Sequence, residues 1–314
     1  VVNMQETNLY SGVELRSLIP SFVRHLRAEN KSANTIDSYQ EAVKQFYRFA
    51  AESGMPRIAS SITREHVETW VMELLNRKSA ATANNRYRGL RQFFKWAVDE
   101  GEIKSTPMLN MKPPTVPEVV VPVLTEFQLE ALIKACSGKS FTDRRDMALV
   151  QMFMSTGARK SEVANMRWSD DSPEDSDIDL DAGVAMFRGK GNKQRLSGVS
   201  PMATVAVDRY LRSRRAHRAA NSPYLWLGKH GRLLPDGCAR AVQKRAQLAG
   251  VGHIYVHQVR HSFAHYWLLD GGTEESLMRT MGWKSREMVS RYAASASSER
   301  AIIASRSVGL GARF

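Results

Sequence analysis

Four prolines in one short stretch, Pro113, Pro114, Pro117 and Pro122, forbid any helix from running through the middle of this chain. Proline lacks the amide hydrogen that a helix interior needs, and its ring clashes with the preceding turn. Val119, Val120 and Val121 lie among them and favour an extended, strand-like link. Apolar residues recur at helical spacing on both sides, so the sequence divides into residues 1–111, a Pro-rich linker at 112–122, and a second domain starting near 123. Its 314 residues exceed the usual size of a single core, which agrees with two.

The first part reads as helical. Ile36, Tyr39, Val43, Phe46, Tyr47 and Ala50 fall near one helical face, and Leu90, Phe93, Phe94 and Ala97 repeat the pattern. On that later helix Arg86, Arg88, Arg91 and Lys95 occupy other faces, a cationic surface suited to neutralising phosphates in a DNA groove. Beyond the prolines, Thr125 and Gln128 make a capping box, and Leu129, Leu132, Ile133 and Cys136 continue with helical spacing. Residues 183–200 alternate around a Gly-rich turn and are the one convincing hairpin in the sequence. The acidic run 169–181 superficially resembles a calcium loop, but Leu180 stands where that loop requires glycine, so it reads as a solvated connection. The expected fold is mainly α with a small β-sheet.

Forty-five Lys and Arg against 32 Asp and Glu leave a formal charge of +13, spread along the chain, which favours a polyanionic partner. Cys136 and Cys238 are too few and too distant for a zinc pattern or a disulfide framework; both read as packing residues of a protein in a reducing cytoplasm. No run approaches the roughly 18 apolar residues of a membrane span. No metal site and no cofactor are expected.

The chemistry lies in four short motifs followed by a tyrosine: TGARKSEV (156–163), GKGNKQR (189–195), HQVRHSF (257–263), MGWKS (281–285) and Tyr292. A phenol titrates near pH 10, so Tyr292 needs a base or a strong positive field before it can attack phosphorus. Attack on a phosphodiester builds charge on two non-bridging oxygens, and arginine offers a planar, permanently charged fork matched to them. Arg159 and Arg260 are the candidate clamp, with Glu162 one turn beyond Arg159 to hold its guanidinium. Each such donor contributes on the order of 3 to 4 kcal/mol, enough for the pair to stand in for a metal. The departing oxygen needs a proton, for which Lys190 at the hairpin tip is preferred over Lys193. His257, three residues before Arg260, shares its side of a helix turn and can accept the tyrosine proton or orient the phosphate. His261 points elsewhere at helical spacing and takes a supporting role. Trp283 can donate an indole N–H but cannot shuttle a proton, so it positions.

These residues in this order resemble the tyrosine recombinase and integrase superfamily of phage integrases, Xer-type resolvases and Cre-type enzymes. The resemblance implies a helical, SAM-like core-binding domain over 1–111, a catalytic domain over 123–296, and closure of the two around DNA as a C-shaped clamp. It implies that Arg159, Lys190, His257, Arg260, Trp283 and Tyr292 are catalytic. Trp283 replaces the second histidine of many members, a substitution also found in Cre-type enzymes. The implied reaction is site-specific recombination of double-stranded DNA at paired half-sites, through a 3′-phosphotyrosine and a Holliday junction, by a tetramer on two DNA sites. The tail 297–314 would dock on a neighbouring protomer. A phage or mobile-element integrase working at simple core sites, without an arm-binding domain, is the expected biology, with an Xer-type chromosome or plasmid resolvase as the alternative. A non-cleaving DNA-binding regulator and a type IB topoisomerase are the more distant alternatives.

Overall fold

The computed structural model describes residues 12–117, 122–189, 194–289, 301–302 and 305–306. The chain forms two compact units, residues 1–119 and 120–314, and is mostly helical with small antiparallel sheets. No helix among the described residues is long and apolar enough to cross a membrane.

In the first unit α1 (Leu15–Ala28), α2 (Ala33–Glu52), α3 (Arg64–Arg77) and α4 (Ala80–Asp99) surround an aromatic core. Ser32 and Ser79 start α2 and α4 by accepting the amides of Thr35 and Thr82 at 3.3 Å, the usual role of an N-cap hydroxyl. Phe22 and Phe93 meet edge to face with ring centroids 5.4 Å apart, and Phe46 packs the same way on Trp70 at 5.3 Å. The apolar stripes of α2 and α4 face this core, as their spacing predicts. Arg88, Arg91 and Lys95 are exposed and follow helical spacing along one stripe of α4. Arg86 does not join them: it is half-buried, and its Nη1 donates to the Ser38 carbonyl of α2 at 3.2 Å.

The close approach of α2 and α4 depends on Gly89. A Cβ there would lie 2.8 Å from the Cβ of Ala42 and 3.2 Å from the Cα of Tyr39. Gly89→Val is therefore expected to lower stability by about 2 to 3 kcal/mol, since the helices must separate over a packed core. Urea denaturation checks this; an unchanged midpoint would mean that the helices separate without cost.

The second unit is built on α6 (Phe141–Thr156), which is buried along most of its length and packs on α8 (Pro201–Arg214). Around it lie α5 (Glu126–Lys134), the short α7 (Lys160–Ala164), α9 (Pro235–Leu248), α10 (Val256–Leu269) and α11 (Glu274–Met281). The Thr125–Gln128 capping box is present, with reciprocal bonds of 3.2 and 3.0 Å. The amide of Leu124 donates to Ser262 Oγ at 2.8 Å and its carbonyl accepts from the Tyr266 hydroxyl at 3.1 Å, which docks the start of this unit on α10. Cys136 and Cys238 are both buried, and burial pushes each thiol up to about 12, as suits packing residues.

The strands β2 (Val184–Arg188) and β3 (Gln194–Gly198) form the expected hairpin, registered Val184 opposite Gly198 and Arg188 opposite Gln194. Two expectations need correction. The acidic run is not wholly solvated: its end forms β1 (Ile178–Asp179), which pairs with β2, and Asp177 is buried. Asp177 Oδ2 accepts from the Arg167 amide at 2.8 Å and from Arg188 Nη1 at 2.6 Å, so this carboxylate ties the loop to the sheet. Nor is the hairpin alone, since β4 (Leu227–Gly228) and β5 (Gly231–Arg232) form a second, minimal one.

Candidate active site

The site begins where α6 ends. Gly157 stops the helix in the left-handed region at φ +55°, where a Cβ would lie 2.6 Å from the Phe263 ring. The chain then turns, and Arg159 caps α7 from an extended conformation. Glu162, in the first turn, accepts the Arg159 amide on Oε2 at 2.9 Å and the Arg159 Nη1 on Oε1 at 2.7 Å. Glu162 thus brackets Arg159 at two points, backbone and guanidinium, from three residues away.

Glu162 has a further partner that its local sequence does not announce. Arg195, on β3, donates from Nη2 to Glu162 Oε2 at 2.8 Å, placing the carboxylate between two guanidinium groups. Burial alone would raise this carboxyl, but Arg195, the Arg159 amide and the two guanidinium bonds hold it below the usual carboxylate range.

Arg260, on the first turns of α10, is only 1% exposed. Its Nη1 donates to the Gly157 carbonyl at 2.6 Å and its Nη2 to the Met281 carbonyl at 2.9 Å. Those acceptors are at the C-terminal ends of α6 and α11, where helix dipoles place partial negative charge, so the buried cation is compensated and fixed in direction. Trp283 follows the left-handed Gly282 that ends α11, and its ring centroid is 5.5 Å from the Arg260 guanidinium carbon. Gly157, Met281 and Trp283 thus meet around one arginine.

Arg159, His257 and Arg260 share the wall of a cavity of about 650 Å³, with Lys160, Arg240 and Tyr255 also on its lining. The i, i+3 placement of His257 and Arg260 on α10 brings both to that wall, as their spacing predicts. His261 departs from expectation. One full turn after His257, it falls on the same face, and the two rings meet edge to face with centroids 4.9 Å apart. It is buried and packs against His257.

Burial, then Arg260, then Arg159 lower the titration of His257 below its usual value. The imidazole is therefore neutral at pH 7, with a nitrogen able to accept a proton. The depressed folded value means that protonation favours unfolding: the penalty is absent above the unfolded pKa of about 6.5 and grows as pH falls below it. An NMR titration of the ring is expected to give a midpoint under about 6.5 that moves up in Arg159→Ala. A midpoint at or above that value would contradict this electrostatic reading.

Lys190, Lys193, Tyr292 and nearly all of the tail lie outside the described residues. Among the described residues no group of three or more His, Cys, Asp or Glu side chains is placed to hold a metal.

An open cavity bordered by two anchored guanidinium groups and a neutral imidazole, on a helical unit with a small sheet, has the chemistry to receive a phosphodiester. The comparisons give that class its family. Residues 122–299 match the model of the phage integrase family, and residues 19–101 match the phage integrase N-terminal SAM-like domain. The chain belongs to the phage integrase family, and it is a tyrosine recombinase.

Tyrosine recombinase XerC of Thermodesulfovibrio yellowstonii is 27% identical over 288 residues, covering 87% of this chain and 90% of the relative. XerC of Pseudomonas aeruginosa is 29% identical over 279 residues, covering 85% and 86%. Among solved structures, XerA recombinase matches at 25% identity with a TM-score of 0.51, covering 91% of this chain and 97% of that one. XerH bound to palindromic difH substrate matches in fold at 16% identity with a TM-score of 0.72, covering 92% and 84%. A lambda integrase dimer bound to a COC′ core site does so at 16% and 0.68, covering 89% and 95%.

Proposed function

We propose that this protein is a site-specific DNA recombinase of the Xer type, which cuts and rejoins double-stranded DNA through a 3′-phosphotyrosine. The observation that carries the chemistry is the pair Arg159 and Arg260 on one cavity wall with a neutral His257 between them in function. The XerC relatives, similar over almost their whole length, favour this reading over that of a phage or mobile-element integrase.

In the proposed reaction the Tyr292 oxygen attacks phosphorus and passes its proton to His257. Arg159 and Arg260 take up the charge growing on the non-bridging oxygens. The 5′ oxygen leaves with a proton from Lys190, and Trp283 positions. The free 5′ hydroxyl then attacks the adduct on a partner duplex, forming a Holliday junction. One phosphoester replaces another at each step, so no external energy source is required. The DNA is held by a core-binding domain over 1–111, including Arg88, Arg91 and Lys95, and a catalytic domain over 123–296. DNA-bound XerH and the lambda integrase tetramer on a Holliday junction support assembly as a tetramer on paired half-sites. Segment 297–306 would link neighbouring protomers.

The test is to incubate the protein with fragmented host DNA in EDTA, stop with SDS, and map covalent adducts by sequencing and peptide mass, with Tyr292→Phe alongside. A 3′ adduct on Tyr292 at one chromosomal site, whose deletion leaves chromosome dimers unresolved, is expected. An adduct at the ends of a mobile element would point to an integrase instead. Specific binding with no adduct on nicked substrates, or relaxation of any plasmid without site preference, would overturn the reading.

A further inference from the structure

Arg195 closes the GKGNKQR motif, yet no step of the proposed reaction uses it. Its side chain is 11% exposed and joins three elements. From β3 it donates to Glu162 of α7 and, through Nη1, to the Thr280 carbonyl near the end of α11. Its guanidinium carbon lies 4.6 Å from the centroid of the Phe187 ring. Gly282, at φ +64°, makes room for it: a Cβ there would lie 3.0 Å from Arg195 Cδ. Because Arg260 takes the carbonyl of Met281, two arginines hold successive carbonyls at the end of the same helix.

The consequence falls on Arg159. Without Arg195 the Glu162 carboxylate would be tied to fixed structure by the Arg159 amide alone, and its plane could shift together with the Arg159 guanidinium it binds. Arg195 and the Arg159 amide both bind Oε2, which leaves Oε1 for the Arg159 guanidinium and fixes the carboxylate plane. We propose that Arg195 is a positioning residue for strand cleavage, acting through Glu162 to aim Arg159 at the scissile phosphate; this rests on the recombinase reading above.

The test compares single-turnover covalent cleavage by wild type, Arg195→Gln and Arg195→Lys on two nicked substrates. One carries an ordinary scissile phosphate, and the other a methylphosphonate, whose lost negative charge removes the need for an aimed guanidinium. Arg195→Gln is expected to slow the phosphate by about 100-fold, the scale of losing one preorganised donor, and the methylphosphonate by no more than about threefold. Arg195→Lys, which keeps the charge but not the fork, should fall between and carries the comparison if the glutamine variant does not fold. Equal losses on both substrates are the mark of general loosening and would overturn the proposal, as would no loss on the phosphate. If the wild type forms no adduct on the phosphate, the recombinase reading itself has failed and the inference falls with it.

Discussion

Arg260→Lys is expected to slow covalent cleavage of DNA about a thousandfold while changing DNA affinity only severalfold. Lysine keeps the positive charge, so any long-range attraction for the polyanion survives. What it loses is the fork. Arg260 spans the carbonyls of Gly157 and Met281, which come from two different helices, while still reaching the cavity wall. An ammonium on a flexible stem cannot bridge both acceptors and also present a fixed donor to a phosphate. The transition state gains charge on its non-bridging oxygens, so the loss appears in the chemical step. Single-turnover adduct formation at saturating DNA, with binding measured separately by anisotropy, resolves the two effects. Cleavage within about tenfold of wild type would make Arg260 a structural cation and leave Arg159 alone as the clamp.

How much of the site is legible in the sequence depends on sequence separation. Arg159 with Glu162, and His257 with Arg260, are each three apart, so helical geometry fixes which side they share once a helix is recognised. The capping box at Thr125 and the stripes of α2 and α4 were legible for the same reason. The misses are long-range or very short. Arg195 meets Glu162 across 33 residues and Thr280 across 85, and nothing local distinguishes it from a solvated turn cation. Its place at the end of a Gly-rich hairpin beside Phe187 was the available signal. Asp177 looked solvated because its partner Arg188 lies on the far side of a turn, and β1, β4 and β5 are two residues each, too short to alternate. His261 neighbours Arg260 in sequence, yet the spacing that decides its face is the one turn back to His257. Arg86 looked equivalent to Arg88 until packing of α4 on α2 turned it toward Ser38.

Glu162→Ala should combine the largest stability cost with a strong catalytic defect. Its carboxylate is 3% exposed, and Arg195 beside it is 11% exposed, so removing it strands a nearly buried guanidinium, at a cost of about 3 to 5 kcal/mol. Arg159 is 43% exposed and can recover water, so its own ion pair adds little to that figure. Its contribution is directional: without Glu162 the guanidinium loses its anchor, and cleavage should fall about a hundredfold. Acid provides an internal check. Because the folded carboxyl titrates below its unfolded value of about 4.3, its stabilising contribution is complete above that pH and is lost as pH falls through the folded value. The stability difference between wild type and Glu162→Ala, measured by urea denaturation, should therefore be constant from pH 7 to about 5 and shrink in stronger acid. A difference that stayed level into strong acid would show that the lost methylenes and cavity, and not the carboxylate bracket, account for the cost. Glu162→Gln separates the same two contributions at neutral pH. It retains the side-chain volume and one carbonyl acceptor but sets an N–H group against one of the two arginines. Most of the destabilisation should persist in Glu162→Gln if the bracket is electrostatic, and little of it if the site depends on packing.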